Sequence, residues 1–304
     1  MSVAFLCPGQ GAQTPGFLHR LPDATEVATT LDEASAVLGR EVRDLDGAEA
    51  LRSTVAVQLA TVVAGIAAGR ALAARGAVPD LSVGAFTAAV LSGALTLPDA
   101  LRIVRLRGEA MQRAFRRGHG LAAVVGLDER RVAALAKASV EGPAYVANLN
   151  APTQFVLAGS DAALEDAIGR ALAAGASRAE RLPVDVPSHS PLLDGVAEVL
   201  AAALRSVPVT DARVPYVTNA RARATRDREA VREDLARSVA LPVRWHEATA
   251  ILFELGARLF VELPPGRTLT GLAQAALPRA RAVAADEVRM DSIVALAARE
   301  RREP

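Results

Sequence analysis

A single cysteine, Cys7, a single lysine, Lys137, and an aromatic content of 3% define what this chain goes without. One cysteine excludes an internal disulfide, and its place after the apolar run at residues 3–6 is that of a buried strand thiol. The formal charge is +1, with 35 basic and 34 acidic side chains, so there is no basic field. With few aromatics there is also no stacking platform, and nucleic acid is excluded as a partner. The four histidines, His19, His119, His189 and His246, are scattered, and no pair has metal-ligand spacing; no metal is expected. The N-terminus lacks the basic-then-apolar pattern of a signal peptide. Residues 54–76 are the only stretch apolar enough to suggest a membrane span, but Gln58, Arg70 and Arg75 interrupt it and alanine dominates it. A buried helix fits better, and the expectation is a soluble, cytoplasmic protein with no membrane partner.

At 304 residues the chain can bury a large core. Residues 2–7 read as a short buried strand that runs into Pro8-Gly9-Gln10-Gly11-Ala12-Gln13, a loop able to bring backbone close to a ligand. No Gly-Lys-Ser/Thr follows and dinucleotide spacing is missing, so no tightly bound cofactor is expected there. Helical periodicity covers residues 23–38, 53–75 and 97–117, with Gly76 placed to end the second. Residues 121–186 then read strand, helix, strand, strand, helix, strand, the ferredoxin-like β-α-β-β-α-β pattern. This segment is complete in itself and interrupts an α/β alternation that resumes after it. The fold expected is therefore a large α/β-hydrolase-like domain with a parallel sheet core, residues 1–118 and 188–304, interrupted by a small ferredoxin-like domain, residues 119–187.

Leu81-Ser82-Val83-Gly84-Ala85-Phe86 reads as a strand-to-helix turn that presents Ser82 as a nucleophile. Acyl transfer needs a serine standing proud of a sheet at a helix N-terminus, where backbone N–H groups can hold an oxyanion. Only the second glycine of G-x-S-x-G is present, since Asp80 occupies the first position. On these six residues alone, a buried helix capped by Ser82 is the simpler reading. The strand leading into the turn is also short, because Pro79 cannot donate to a ladder. Among the histidines, His189 is the best candidate base, held in the Pro-bracketed loop Pro187-Ser188-His189-Ser190-Pro191, whereas His246, next to Trp245, looks structural.

Taken with these, several further motifs give the chain a family resemblance. They are Leu106-Arg107-Gly108, Asn148-Leu149-Asn150-Ala151-Pro152-Thr153-Gln154, Val186-Pro187-Ser188-His189, Pro242-Val243-Arg244-Trp245 and Pro265-Gly266-Arg267-Thr268-Leu269-Thr270-Gly271-Leu272. In this order, and over nearly the whole chain, they resemble the malonyl-CoA:acyl carrier protein transacylase family. Within it, Ser-Val-Gly-Ala-aromatic is most like the malonate decarboxylase transacylase (epsilon) subunit.

The resemblance implies malonyl-CoA as substrate, and an acyl carrier protein with a phosphopantetheine-type arm as partner, along with other decarboxylase subunits. It implies Ser82 as the acylated nucleophile and His189 as its base, in a dyad without a carboxylate, with the backbone carbonyl of Arg244 orienting the imidazole. The N–H groups of Gln10 and Val83 would hold the oxyanion, Arg107 would pair with the malonyl carboxylate, and Asn148 and Asn150 would line the cleft. The family carries an apolar strand ending in Ala-Gly and one further residue before the serine. Here Pro79-Asp80-Leu81 abuts it, so either the sheet tolerates the loss or Ser82 is displaced and catalysis weakened. The alternatives are a fatty-acid or polyketide transacylase, a serine hydrolase with Asp161 or Asp185 as a third member, and a non-catalytic docking subunit.

Overall fold

The apolar runs near the two ends of the chain meet in the middle of one sheet. The computed structural model describes residues 2–302. The first elements are β1 (Ser2–Leu6), α1 (Thr25–Leu38), α2 (Thr54–Ala74), β2 (Leu81–Val83), α3 (Ala85–Leu91) and α4 (Leu97–Ala114). The middle of the chain forms β3 (His119–Val125), α5 (Glu129–Lys137), β4 (Tyr145–Ala151), β5 (Gln154–Ser160), α6 (Asp161–Ala173) and β6 (Arg178–Arg181). After it come α7 (Asp194–Leu204), β7 (Tyr216–Val217), β8 (Ala224–Thr225), α8 (Arg228–Arg237) and α9 (Trp245–Glu254). The chain closes with β9 (Ala257–Glu262), α10 (Thr268–Ala276), β10 (Arg281–Ala284) and α11 (Met290–Arg302).

The large sheet has the order β10-β9-β1-β2-β7-β8, parallel from β10 to β7, with β8 antiparallel at the edge. Its central strands are buried on both faces, which is why they read as unbroken apolar runs rather than alternating ones. Val3, Phe5, Tyr216 and Val261 point to the face covered by α1, α2, α4 and α7; Leu6, Leu81, Val83 and Phe260 point to the face covered by α9 and α10. Among the described residues α2 is the one helix long and apolar enough to cross a membrane, and 83% of its apolar window is buried in this core.

The middle segment closes into its own antiparallel sheet of order β4-β5-β3-β6, with α5 and α6 packed on Val124, Phe155 and Leu157. One residue stitches it to the large sheet's side of the molecule. Val243 donates to the Ala147 carbonyl at 2.8 Å and accepts from the Leu149 N–H at 2.9 Å, continuing the ladder of β4. The strand expected over residues 179–186 ends at Arg181 because Pro183 interrupts it, and the strand expected over 214–218 contracts to Tyr216–Val217 after Pro215.

Between α2 and α3 the chain has few residues with which to cross the sheet. Asp80 solves the shortage with its side chain: its N–H donates to the Val3 carbonyl at 2.8 Å while its Oδ2 accepts from the Val3 N–H at 2.9 Å. Arg301 of α11 braces the same connection, donating to the carbonyls of Gly76 and Val78. What remains for β2 is three residues, Leu81, Ser82 and Val83, in register with Ala4, Phe5 and Leu6.

The turn into α3 follows at Gly84 (φ 116°) and Ala85 (φ 22°). A Cβ on Gly84 would lie 2.4 Å from the Cys7 carbonyl oxygen, so only glycine fits. Gly84→Ala is therefore expected to lower stability by more than ~2 kcal/mol. Gly169→Ala, at an exposed site in α6 with no atom within 4 Å of the new Cβ, should raise it by up to ~1 kcal/mol. Urea unfolding of the two variants checks both signs.

Candidate active site

The loop after β1 and the turn after β2 leave the parallel sheet at its carboxyl edge, where open α/β folds place their chemistry. His189 is the best-defined group in the site. Its backbone is left-handed (φ 63°), an uncommon state for a non-glycine residue, held by its N–H donating to the Val239 carbonyl at 2.7 Å. Its Nδ1 lies 2.6 Å from the Ser238 carbonyl oxygen. A carbonyl only accepts, so Nδ1 carries the proton and Nε2 is left with a lone pair able to take one. The orienting carbonyl is therefore that of Ser238 and not that of Arg244, as the sequence led us to expect. The Arg244 carbonyl is already used as the first acceptor of α9, from Ala248 at 2.9 Å, and its side chain pairs with Glu247 at the surface. The hydrolase reading loses its third member as well. Nδ1 is occupied, and Asp161 is engaged with Arg181 at 2.6 Å.

Arg107 comes from α4. Gly108, the next residue, lets α4 press on α2, since a Cβ there would lie 2.9 Å from Val55 Cα. This close approach brings the Arg107 guanidinium to Gln58 one turn further along α2, where it donates to Oε1 at 2.6 Å. The Gln58 amide in turn donates to Met111 Sδ at 3.3 Å, which fixes the flip of the amide. No carboxylate among the described residues pairs with Arg107, and burial lowers its pKa to about 10, so it remains a cation at neutral pH. Burial first, and then the charge of Arg107, lower the His189 pKa to about 4. The imidazole is thus neutral, and able to take a proton, across the physiological range.

Ser82 is elsewhere than the sequence implied. It lies in the middle of β2, paired with Phe5 on one side and Tyr216 on the other, with its N–H donating to the Pro215 carbonyl at 3.1 Å. It is 0% exposed, and its Oγ contacts Cys7 Sγ at 3.8 Å; among the hydrogen bonds of the described residues none joins it to His189. Cys7 is no substitute nucleophile, because burial pushes its thiol up to about 12.

The chain matches the model of the acyl transferase domain over residues 4–303. The chain belongs to the acyl transferase family. It is 36% identical to the malonyl CoA-acyl carrier protein transacylase of Salmonella typhimurium over 280 residues, covering 88% of this chain and 91% of that protein. The Bacillus subtilis protein of the same name is 34% identical over 296 residues, covering 94% and 93%. Among solved structures it is similar to the acyl-carrier-protein S-malonyltransferase of Burkholderia pseudomallei, with a TM-score of 0.92, 36% identity, and coverage of 97% of this chain and 100% of that one. It is also similar to a malonyl-transacylase in complex with a type II PKS acyl-carrier protein, with a TM-score of 0.92, 32% identity, and coverage of 98% and 100%.

The turn after β2 does not fall on the serine. The tight, positive-φ geometry falls on Gly84 and Ala85, two and three residues beyond Ser82. Val83, expected in the oxyanion hole, sits in the ladder between Leu6 and Val217, with its carbonyl accepting from Cys7, so its N–H lies in the plane of the sheet. Gln10 is on the turn after β1, half-buried, in the loop that packs against Gly266. Asn148 lies opposite Val156 and beside Val243, at the seam between the two sheets, while Asn150 falls in the register shift at the end of β4. His119 and His246 each bury an unpartnered Nδ1, and among the described residues no acidic, histidine or cysteine cluster could hold a metal.

Two site residues escaped sequence reasoning, Gln58 and Ser238. Gln58 had shown only as an interruption in an apolar run, and Ser238 acts through its backbone, which no residue type advertises. Because the Arg107 charge disfavours imidazolium, removing it in Arg107→Gln should raise the His189 pKa from about 4 toward the ordinary 6.5. NMR titration of the His189 ring in the two proteins measures the shift.

Proposed function

We propose that this chain moves a malonyl group from malonyl-CoA to the phosphopantetheine-type thiol of an acyl carrier protein by way of an ester on Ser82. The observation that carries the reading is Arg107, a cation without a carboxylate of its own, anchored by Gln58 and near enough to His189 to depress its pKa. A planar guanidinium in that state suits the free carboxylate of a malonyl group, and the names of the relatives point the same way. In the first half-reaction His189 Nε2 takes the Ser82 proton, Oγ bonds to the thioester carbonyl carbon, and the carbon–sulfur bond breaks as the proton passes to the departing CoA sulfur. In the second half-reaction the carrier thiol gives its proton to His189, its sulfur takes the malonyl group, and Ser82 regains its proton. The inserted sheet, ferredoxin-like in its strand order, forms one wall of the cleft in this reading.

The carrier best supported is one of fatty-acid or polyketide synthesis, since a similar structure is of a transacylase with a type II PKS acyl-carrier protein. Leu81-Ser82-Val83-Gly84-Ala85-Phe86 favours a second reading, the carrier subunit of malonate decarboxylase. Offering both carriers to the malonylated protein separates the two.

Malonyl-CoA should add one malonyl mass to Ser82, and Ser82→Ala should abolish the addition. Binding of the carrier without any acylation would instead make this a docking subunit. Arg107→Ala should lower kcat/KM for malonyl-CoA by on the order of 100-fold while sparing acetyl-CoA, because only the malonyl group carries the carboxylate.

A further inference from the structure

The buried carboxylate of Asp234 has no counterpart in the chemistry described so far. It lies on α8, 6% exposed, and among the described residues no cation pairs with it. Four donors converge on it instead: the Tyr216 hydroxyl at 2.6 Å, the Asn219 N–H at 3.0 Å, the Asn219 side-chain amide at 3.0 Å and the Ala220 N–H at 3.3 Å. Such a set satisfies the carboxylate's acceptors without a salt bridge, and the donors offset part of the burial that raises its pKa.

What Asp234 ties together is more specific than core packing. Tyr216 is the residue beside Ser82 in the sheet. On its other side, the Asp234 carbonyl accepts from the Ser238 N–H at 2.8 Å, and the Ser238 carbonyl is the group that holds His189 Nδ1 at 2.6 Å. Next along the chain, Val239 takes the His189 N–H. From the same turn, the Asn219 carbonyl accepts from Arg244 N–H at 2.9 Å, next to the Val243 stitch to the small sheet. The carboxylate thus fastens α8 to Tyr216 and the turn after β7, beside Ser82, and the main chain of α8 carries that placement on to the Ser238 peptide that holds His189.

We propose that Asp234 is a positioning residue for acyl transfer, setting the His189 imidazole relative to β2 through Tyr216 on one side and Ser238 on the other. The proposal rests on His189 serving as the base, and its test has one arm that needs no turnover. In that arm, the His189 Nδ1–H proton is followed by NMR; donation to a carbonyl at this distance places it downfield and slows its exchange. Asp234→Ala leaves four donors without an acceptor and should remove that signature. Asp234→Asn keeps an acceptor for the backbone N–H groups and should restore it in part. Tyr216→Phe removes a single hydroxyl and, should Asp234→Ala fail to fold, carries the test with a smaller displacement of the same resonance.

In the second arm, acylation by malonyl-CoA should fall by about tenfold or more in kcat for Asp234→Ala, with KM little changed, since a misaimed base costs rate rather than binding. An unchanged Nδ1–H resonance in the folded Asp234 and Tyr216 variants overturns the proposal, as does a loss confined to KM. If the transferase reading itself fails, the wild type is inactive too, while the NMR arm still decides the role of Asp234.

Discussion

Three residues of backbone, Leu81 to Val83, are all that joins β1 to β7, and the position of Ser82 follows from that span. A parallel strand must reach the carboxyl edge of its sheet before it can turn into a helix. Here the chain enters the sheet at Asp80, clipped to Val3 by both its N–H and its carboxylate. The next three residues are consumed by the ladder. The turn cannot come before Gly84, so Ser82 is left facing Cys7 inside the core instead of standing at the edge. Asp80 stabilises the short crossing and, by the same bonds, fixes its register.

The rest of the machinery is assembled independently of that strand. His189 is aimed by the end of α8 and the chain just after it, and Arg107 is delivered by the α2–α4 contact that Gly108 permits. Burial and the nearby guanidinium keep the imidazole neutral, which is the state a base requires. The Arg107 charge also acts on His189 in a useful direction: in the proposed function, the cation that suits a malonyl carboxylate keeps a second positive charge from forming on the imidazole. For the proposed transfer, His189 and Arg107 are thus in place, and Ser82 is the group that the short strand holds away from the turn.

The sequence made most of this architecture legible. Apolar runs flanked by proline and glycine located the strands, and the insertion stood out because its element order is self-contained. Leu106-Arg107-Gly108 and Pro187-Ser188-His189 identified residues that the structure brings into one site. The small edge strand β8 was missed, since two residues carry no periodicity. So was the role of Ser238, because a carbonyl is available at every position and only the tertiary fold selects one. The expectation that Ser82 rides the turn came from its neighbours Val83 and Gly84, while the warning against it lay upstream, in the few residues between Gly76 and the serine.

The most direct measurement of this account is the rate of the first acylation step in a chain whose strand has been lengthened. Insertion of Phe-Val-Ala-Gly between Asp80 and Leu81 supplies the missing ladder residues and carries Ser82 out to the turn. Single-turnover acylation by malonyl-CoA, followed by rapid quench and intact-protein mass, should then accelerate by on the order of 100-fold over the natural sequence. An unchanged or slower rate in the folded insertion variant would contradict the account, showing that Ser82 already reaches His189 from β2 as it stands.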